Sequence, residues 1–200
     1  LASAAKSTPD AILDAAIDLF IESGFETVSM DTIAQRAGVA KGTLYYHFKS
    51  KEGIVDAIVE RFVVGAEAAF EAILGDAALG PLEKMKALID KQTELYGASF
   101  CRLHKMKYID IHLRTQLAMV DRLSPFHARI VEEGIAAGIW ECDYPYEFCR
   151  ISMAASSILF DPGCFGPVSE RLVDAMIELT ARGLGVKPEA LEWAYSALRR

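Results

Sequence analysis

Cysteine is scarce in this chain. Cys101, Cys142, Cys149 and Cys164 are the four, with no C-x-x-C pair and no zinc-like spacing among them. A disulfide scaffold and a structural zinc site are therefore not expected, and the thiols read as reduced packing residues. Long apolar runs are missing too: no stretch approaches the roughly 18 to 20 residues that span a bilayer. The opening LASAA resembles the small-residue end of a signal peptide, but the apolar region of one is absent. The expectation is a cytoplasmic protein with no membrane partner. Basic residues fall short of acidic ones, 21 against 28 for a net charge of -7. That balance argues against a surface that clings to polyanions everywhere. No nucleophile, base and orienter set, metal motif or phosphate loop is visible, so no catalytic residue, metal or cofactor is expected. A metal pair at Cys101 and His104 would offer two ligands on one helical turn, too few for a site. Repeats, low-complexity tracts and long linkers are also lacking.

What the chain has in quantity is hydrophobic residue, 52% of 200, enough for one or two small domains with a substantial core. The periodicity is helical from end to end, which predicts an all-α fold. The organising stretch is Thr27 to Gly53, TVSMDTIAQRAGVAKGTLYYHFKSKEG. Ser29 is placed as an N-cap, Asp31 suits a first helical turn, and Ile33, Ala34 and Ala37 give an apolar face. Gly38 stands where a left-handed residue ends a helix. A second helix from about Ala40 to Phe48 turns Leu44 and Phe48 inward and Gly42 and Tyr46 outward, with Thr43 and His47 beside them. Two short helices joined by a tight turn form a helix-turn-helix. Charge agrees: residues 32 to 51 hold Arg36, Lys41, Lys49 and Lys51 and no acid, +4 in total, so the remaining residues carry -7 minus 4, or -11. A basic footprint confined to one small surface of an acidic protein points to phosphate contacts there.

The segment VSMDTIAQRAGVAKGTLYYHFKSKEGI resembles, densely and without gaps, the DNA-binding signature of the TetR family of one-component transcriptional regulators. The resemblance implies a three-helix DNA-binding unit over residues 1 to 53 and a helical ligand-binding and dimerisation domain over 54 to 200. It also implies that Lys41, Gly42, Thr43, Tyr45, Tyr46 and His47 occupy positions used on DNA, that Lys51 occupies a phosphate-contacting one, and that Ser29 belongs with them. Gly42 permits close approach, Thr43 and Tyr46 offer hydroxyls, and Lys41 and Lys51 offer point charges. Many members have Ser where this chain has Ala40, so one cap or phosphate hydroxyl is missing.

Around that segment the chain reads in order. Thr8, Pro9 and Asp10 announce a first helix with Ile12, Leu13, Ala16, Ile17 and Phe20 inward, ending at Gly24. Ser50 caps a long helix that keeps apolar spacing to about Gly75, a lever between DNA-binding unit and effector domain. After Gly80 and Pro81 come a helix through Leu95 and another around Phe100 to Leu113, on which Phe100, His104, Tyr108 and His112 recur every four residues. An aromatic wall with polar tips suits a small-molecule cavity, so Tyr96, Phe100, His104, Tyr108 and Met119 are candidate ligand contacts, with Phe62, Phe70 and Met85 opposite. Ser124 and Pro125 predict the start of a further helix, in which Gly134 and Gly138 would admit a close neighbour. Two late helices follow, about Tyr146 to Phe160 and around Leu172 to Leu184, and the resemblance implies that they pair with their copies in a four-helix dimer interface. Ile151, Ala155, Ile158, Leu159, Leu172, Met176 and Leu179 are the candidates for it. Pro188 to Arg200 reads as a short amphipathic helix.

The function expected from the resemblance is a ligand-responsive repressor that binds a palindromic operator on double-stranded DNA as a homodimer and is released by a small apolar or amphipathic effector. The alternatives are a ligand-independent DNA binder, against which the large C-terminal region argues, and an enzyme on a helical scaffold.

Overall fold

The computed structural model describes residues 7–95, 109–161 and 166–196. Tyr96, Phe100, Cys101, His104, Tyr108 and Cys164 lie outside the described residues. Those described form nine α-helices and one short 3-10 turn, with no strand among them. The helices are α1 Thr8–Ser23, α2 Met30–Ala37, α3 Lys41–His47, α4 Lys51–Leu74, α5 Pro81–Leu95, α6 Ile109–Ala136, α7 Pro145–Leu159, α8 Glu170–Gly183 and α9 Glu192–Tyr195. The 3-10 turn, Pro188–Leu191, precedes α9 directly. No helix among the described residues is long and apolar enough to cross a membrane.

The chain divides into two compact units. One takes in the described residues of Leu1–Val64 and Tyr96–Thr115, the other those of Gly65–Leu95 and Gln116–Arg200. In the first unit, α1, α2, α3 and the start of α4 enclose one core: Ile12, Ala16, Phe20, Phe25, Val28, Ile33, Leu44, Ile54 and Ile58, joined by Ile111 of α6. Burying such a side chain contributes roughly 1.5 to 3 kcal/mol, which is how helices of only seven and eight residues, marginal alone, are held. Phe20 and Phe25 pack edge-inclined, ring centroids 5.2 Å apart, across the α1 to α2 turn. The N-cap of α1 is Ser7, one residue earlier than the sequence suggested, its hydroxyl accepting from the Asp10 N–H at 3.3 Å. Thr8 and Pro9 thus both fall inside the first turn, where a proline costs no hydrogen bond.

The second unit is built on α6. Gln116 is buried and donates from Nε2 to the Ser157 carbonyl at 2.8 Å and to Oδ2 of buried Asp161 at 3.1 Å, tying α6 to α7. Arg129 pairs with Glu71 of α4 at 3.1 Å, and Arg122 clasps Glu67 with both ends of its guanidinium. Between those pairs Phe70 is fully buried, its ring edge-on to Phe126 at 5.9 Å and to His127 at 5.6 Å. Lys84 of α5 is buried with its ammonium 2.8 Å from Glu133. Thr180 of α8 and Tyr195 of α9 share a hydroxyl pair at 2.9 Å, and the Lys86 ammonium sits 5.2 Å from the Trp193 ring, so the C-terminal turn is fastened to its own unit.

Two features depart from the expectations above. Ser124 and Pro125 do not begin a helix; they lie inside the 28-residue α6. Pro125 removes one intrahelical donor, and the helix continues past it; Ser124, wholly buried, satisfies its hydroxyl on the Val120 carbonyl one turn back. Gly138 does not admit a neighbour either. It ends α6 in the left-handed region at φ 69°, with the Ile139 N–H returning to the Gly134 carbonyl at 2.8 Å. Gly134 does meet a neighbour, the ring of Trp140 from the same chain: a Cβ there would fall 2.0 Å from the indole.

Candidate nucleic-acid interface

The turn between α2 and α3 is fixed at both ends by backbone chemistry. The Ser29 hydroxyl accepts the Thr32 N–H at 3.1 Å and starts α2. Gly38, at φ 68° and ψ 29°, ends it, while the Val39 N–H returns to the Ala34 carbonyl at 3.0 Å and the Gly38 N–H to that of Gln35 at 3.2 Å. This paired closure is the αL termination that a residue without Cβ permits at no steric cost. Ala40 opens α3 with no side-chain cap, as its methyl dictates. Three residues of loop therefore separate two helices whose inner sides are pinned by buried Ile33, Ala34 and Leu44.

The opposite side of α3 faces outward. Lys41, Gly42, Tyr46 and His47 are exposed, Thr43 and Tyr45 are half-buried, and Tyr45 packs its ring against the core. Tyr46 is 77% exposed, the most exposed large hydrophobic residue among those described, and its ring stands perpendicular to His47 at 5.0 Å. A single exposed ring needs no explanation by itself; what marks Tyr46 is its place on the outer face of α3 beside Thr43, His47 and Gly42. Gly42 marks that face by subtraction. Its backbone is ordinary helix and an added Cβ would meet nothing within 4 Å, so the protein itself has no need of glycine there. Helical glycine costs up to about 1 kcal/mol against alanine, a cost with a purpose if another backbone must approach α3 closely.

The cations of the basic footprint are all engaged within the chain. Arg36 forms a two-pronged pair with Glu22 of α1, at 3.0 and 2.7 Å. That bond and the guanidinium charge hold the Glu22 carboxyl below its ordinary range. The Lys41 ammonium lies 2.8 Å from both carboxylate oxygens of Asp31, and that bond raises its affinity for the proton. Lys49 donates to the Tyr45 carbonyl at 2.9 Å. Lys51, half-buried at the first residue of α4, donates to the Phe25 carbonyl at 2.8 Å and, more weakly, to that of Glu26 at 3.4 Å, with its charge 4.5 Å from the Phe25 ring. Neither the pairing of Asp31 with Lys41 nor that of Glu22 with Arg36 has a periodic signal, since ten and fourteen residues separate the partners.

The other candidate residues fall as follows. Phe62 is half-buried against the core of the first unit, while Phe70, Met85 and Met119 belong to the second, the first and last of them buried. On α7, Ile151 is 68% exposed and Ile158 is exposed, with Ala155 and Leu159 half-buried; on α8, Leu179 is 63% exposed, Leu172 half-buried and Met176 buried in its own chain. Among the described residues no group of three or more His, Cys, Asp or Glu side chains could hold a metal ion. Cys149 is buried and its thiol is pushed up to about 12 by desolvation, a packing residue that stays protonated.

Comparison with known proteins gives this geometry a context. Residues 12–58, which run from within α1 through α2 and α3 to the start of α4, match the pattern of the bacterial regulatory proteins of the tetR family. Over 185 residues the chain is 29% identical to the HTH-type transcriptional repressor KstR2 of Mycolicibacterium smegmatis, covering 84% of this chain and 85% of that repressor. The fold is similar to that of SmeT, the repressor of the Stenotrophomonas maltophilia multidrug efflux pump SmeDEF, in its triclosan complex, at a TM-score of 0.63 and 25% identity over 96% of this chain and 91% of the other. It is also similar to the ketosteroid transcriptional regulator KstR2 of Mycobacterium tuberculosis, at a TM-score of 0.53 and 25% identity over 92% and 97% of the two chains. Two short helices pinned on their inner side, an exposed aromatic on the outer one, and relatives that match along nearly the whole length agree: the chain is similar to the TetR family of transcriptional regulators, whose DNA-binding pattern residues 12–58 carry.

Proposed function

We propose that this protein is a ligand-responsive repressor that binds a palindromic operator as a homodimer and releases it when a small apolar or amphipathic effector occupies the second unit. The observation that carries the DNA part is the outer face of α3, where an exposed Tyr46 and a glycine with no packing reason to be glycine stand together. Tyr46, His47 and Thr43 are the contacts assigned to that face, with Lys41 and Gly42 at its leading end. Homodimerisation is supported by the apolar side chains that α7 and α8 leave in water, Ile151, Ile158 and Leu179. A twofold pair of recognition helices about 34 to 36 Å apart reads successive major grooves, which is why the operator is expected to be a palindrome.

The effector part is supported by relatives, one of them solved with triclosan and another described as a ketosteroid regulator. Phe70, Met85 and Met119 are the described residues of the second unit that we assign to its site. α4 runs unbroken from Lys51 to Leu74 and supplies residues to both units, so it is the element through which occupancy would reach α3. By linkage, DNA must weaken effector binding by the factor that effector weakens DNA binding, typically about 5- to 150-fold. The test is selection of bound sequences from random duplex DNA, repeated with a panel of small apolar compounds. A recovered palindrome that one compound releases supports the whole reading; absence of any enriched sequence sinks it, and a palindrome that no compound releases leaves the ligand-independent alternative standing.

A further inference from the structure

Lys41 opens α3, the position from which a recognition helix meets base edges, yet its ammonium is already held by a carboxylate. Asp31, in the first turn of α2, places both Oδ1 and Oδ2 at 2.8 Å from Nζ. On the other side, Tyr45 lies one helical turn along with its ring centroid 5.9 Å from the same nitrogen. A phosphate approaching this lysine meets a pair whose charges cancel, and a carboxylate that repels it. An acceptor on a base carries no net charge and is not repelled. An ammonium has three N–H donors, and Asp31 takes at most two of them. We propose that Asp31 is a specificity-determining residue of the DNA surface: it withholds Lys41 from the phosphate backbone and presents its remaining N–H to an acceptor-rich base edge, guanine O6 and N7 above all. This rests on the DNA-binding reading given above and assigns Lys41 to base readout, where the sequence suggested a point charge for phosphate.

The two roles leave different marks on salt dependence. A lysine bound to phosphate releases about one counterion, so it contributes about 0.9 to the slope of log K against log salt; a lysine bound to a base contributes nothing of that kind. Neutralising Asp31 frees Lys41 for phosphate. Asp31→Asn is therefore expected to bind a random-sequence 30-base-pair duplex about tenfold more tightly at roughly 50 mM salt, with a slope steeper by about 0.9. Its preference for a duplex recovered by selection over the random one falls by a similar factor. The double variant Asp31→Asn with Lys41→Ala, which removes both charges of the pair, is expected to keep the wild-type slope on random duplex and to erase preference at one base pair of each half-site. Because Asp31 sets base preference through Lys41, Asp31→Asn is expected to change that preference no further in a Lys41→Ala background, whereas relief of phosphate repulsion is common to every sequence.

The measurement is fluorescence anisotropy of the full chain and its three variants on both duplexes over a range of salt, with thermal unfolding to confirm that each variant folds. Equal affinity and slope for Asp31→Asn and wild type overturns the proposal. So does a slope shallower by about 0.9 in the double variant on random duplex, or a loss of base preference on Asp31→Asn that persists in the Lys41→Ala background. If the wild type binds no duplex, the DNA-binding reading itself falls and takes this inference with it; wild-type binding with an inert Asp31→Asn removes the inference alone.

Discussion

Replacing Lys51 separates a contact made to DNA from one made to the protein. Its ammonium spans the turn between α1 and α2, bonded to the Phe25 carbonyl at 2.8 Å and weakly to that of Glu26, above the ring of Phe25. Lys51→Ala leaves these two carbonyls to water and uncovers one face of a buried aromatic. A charged donor on a half-buried carbonyl contributes about 1.5 to 3 kcal/mol, and an ammonium over a ring about 0.5 to 1. Against that stands the partial desolvation of the ammonium and the ordering of a long side chain, about 1 to 2 kcal/mol. The net expectation is a loss of roughly 1 to 2 kcal/mol, or about 5- to 30-fold in the unfolding constant. For a chain of this size that lowers the melting temperature by about 2 to 8 °C. Thermal unfolding monitored by circular dichroism reads the shift, and amide exchange at the α1 to α2 turn shows where it originates. Lys51→Met, which keeps the stem but not the charge, should lose nearly as much. A Lys51→Ala protein with wild-type melting, weakened only on DNA with a slope shallower by about 0.9, would refute the structural tie and leave Lys51 as a pure phosphate contact.

Further outcomes follow from other sites. Gly42→Ala should be neutral or stabilising by up to about 1 kcal/mol in thermal unfolding, while operator affinity falls sharply; retained affinity would remove the close approach. Tyr46→Ala should weaken operator binding strongly with little change in melting, because its ring is 77% exposed and lies outside the core. Gly134→Ala drives a Cβ into the Trp140 ring, and urea unfolding should show a loss of about 1 to 3 kcal/mol or more, relieved when Trp140 is also reduced to leucine. Burial holds the imidazole of His127 below its ordinary 6.5, only partly offset by its Nδ1 bond to the Leu123 carbonyl. The unfolded chain then takes up this proton first, so stability is complete above about pH 6.5 and is lost as pH falls towards the depressed folded value. Melting temperatures from pH 8 to 5 should fall less steeply in His127→Gln, and parallel curves for the two proteins would dismiss the role.

The sequence by itself determined the helix-turn-helix. Ser29, Gly38 and the apolar positions 33, 34 and 44 act through spacings of three to five residues, and local rules read such spacings directly. It determined the bounds of α4 and of the two late helices closely for the same reason. It did not determine what Pro125 does, because a proline after a serine is a start signal locally and becomes a tolerated interior residue only when the surrounding helix is packed into a core. Nor did it reveal which neighbour Gly134 accommodates. The basic footprint was legible as charge but not as availability: tertiary structure sets Asp31 against Lys41, Glu22 against Arg36 and the Phe25 carbonyl against Lys51. Those partners come from different helices at separations with no period, so only the folded chain brings them together and decides which cations are committed before any DNA arrives.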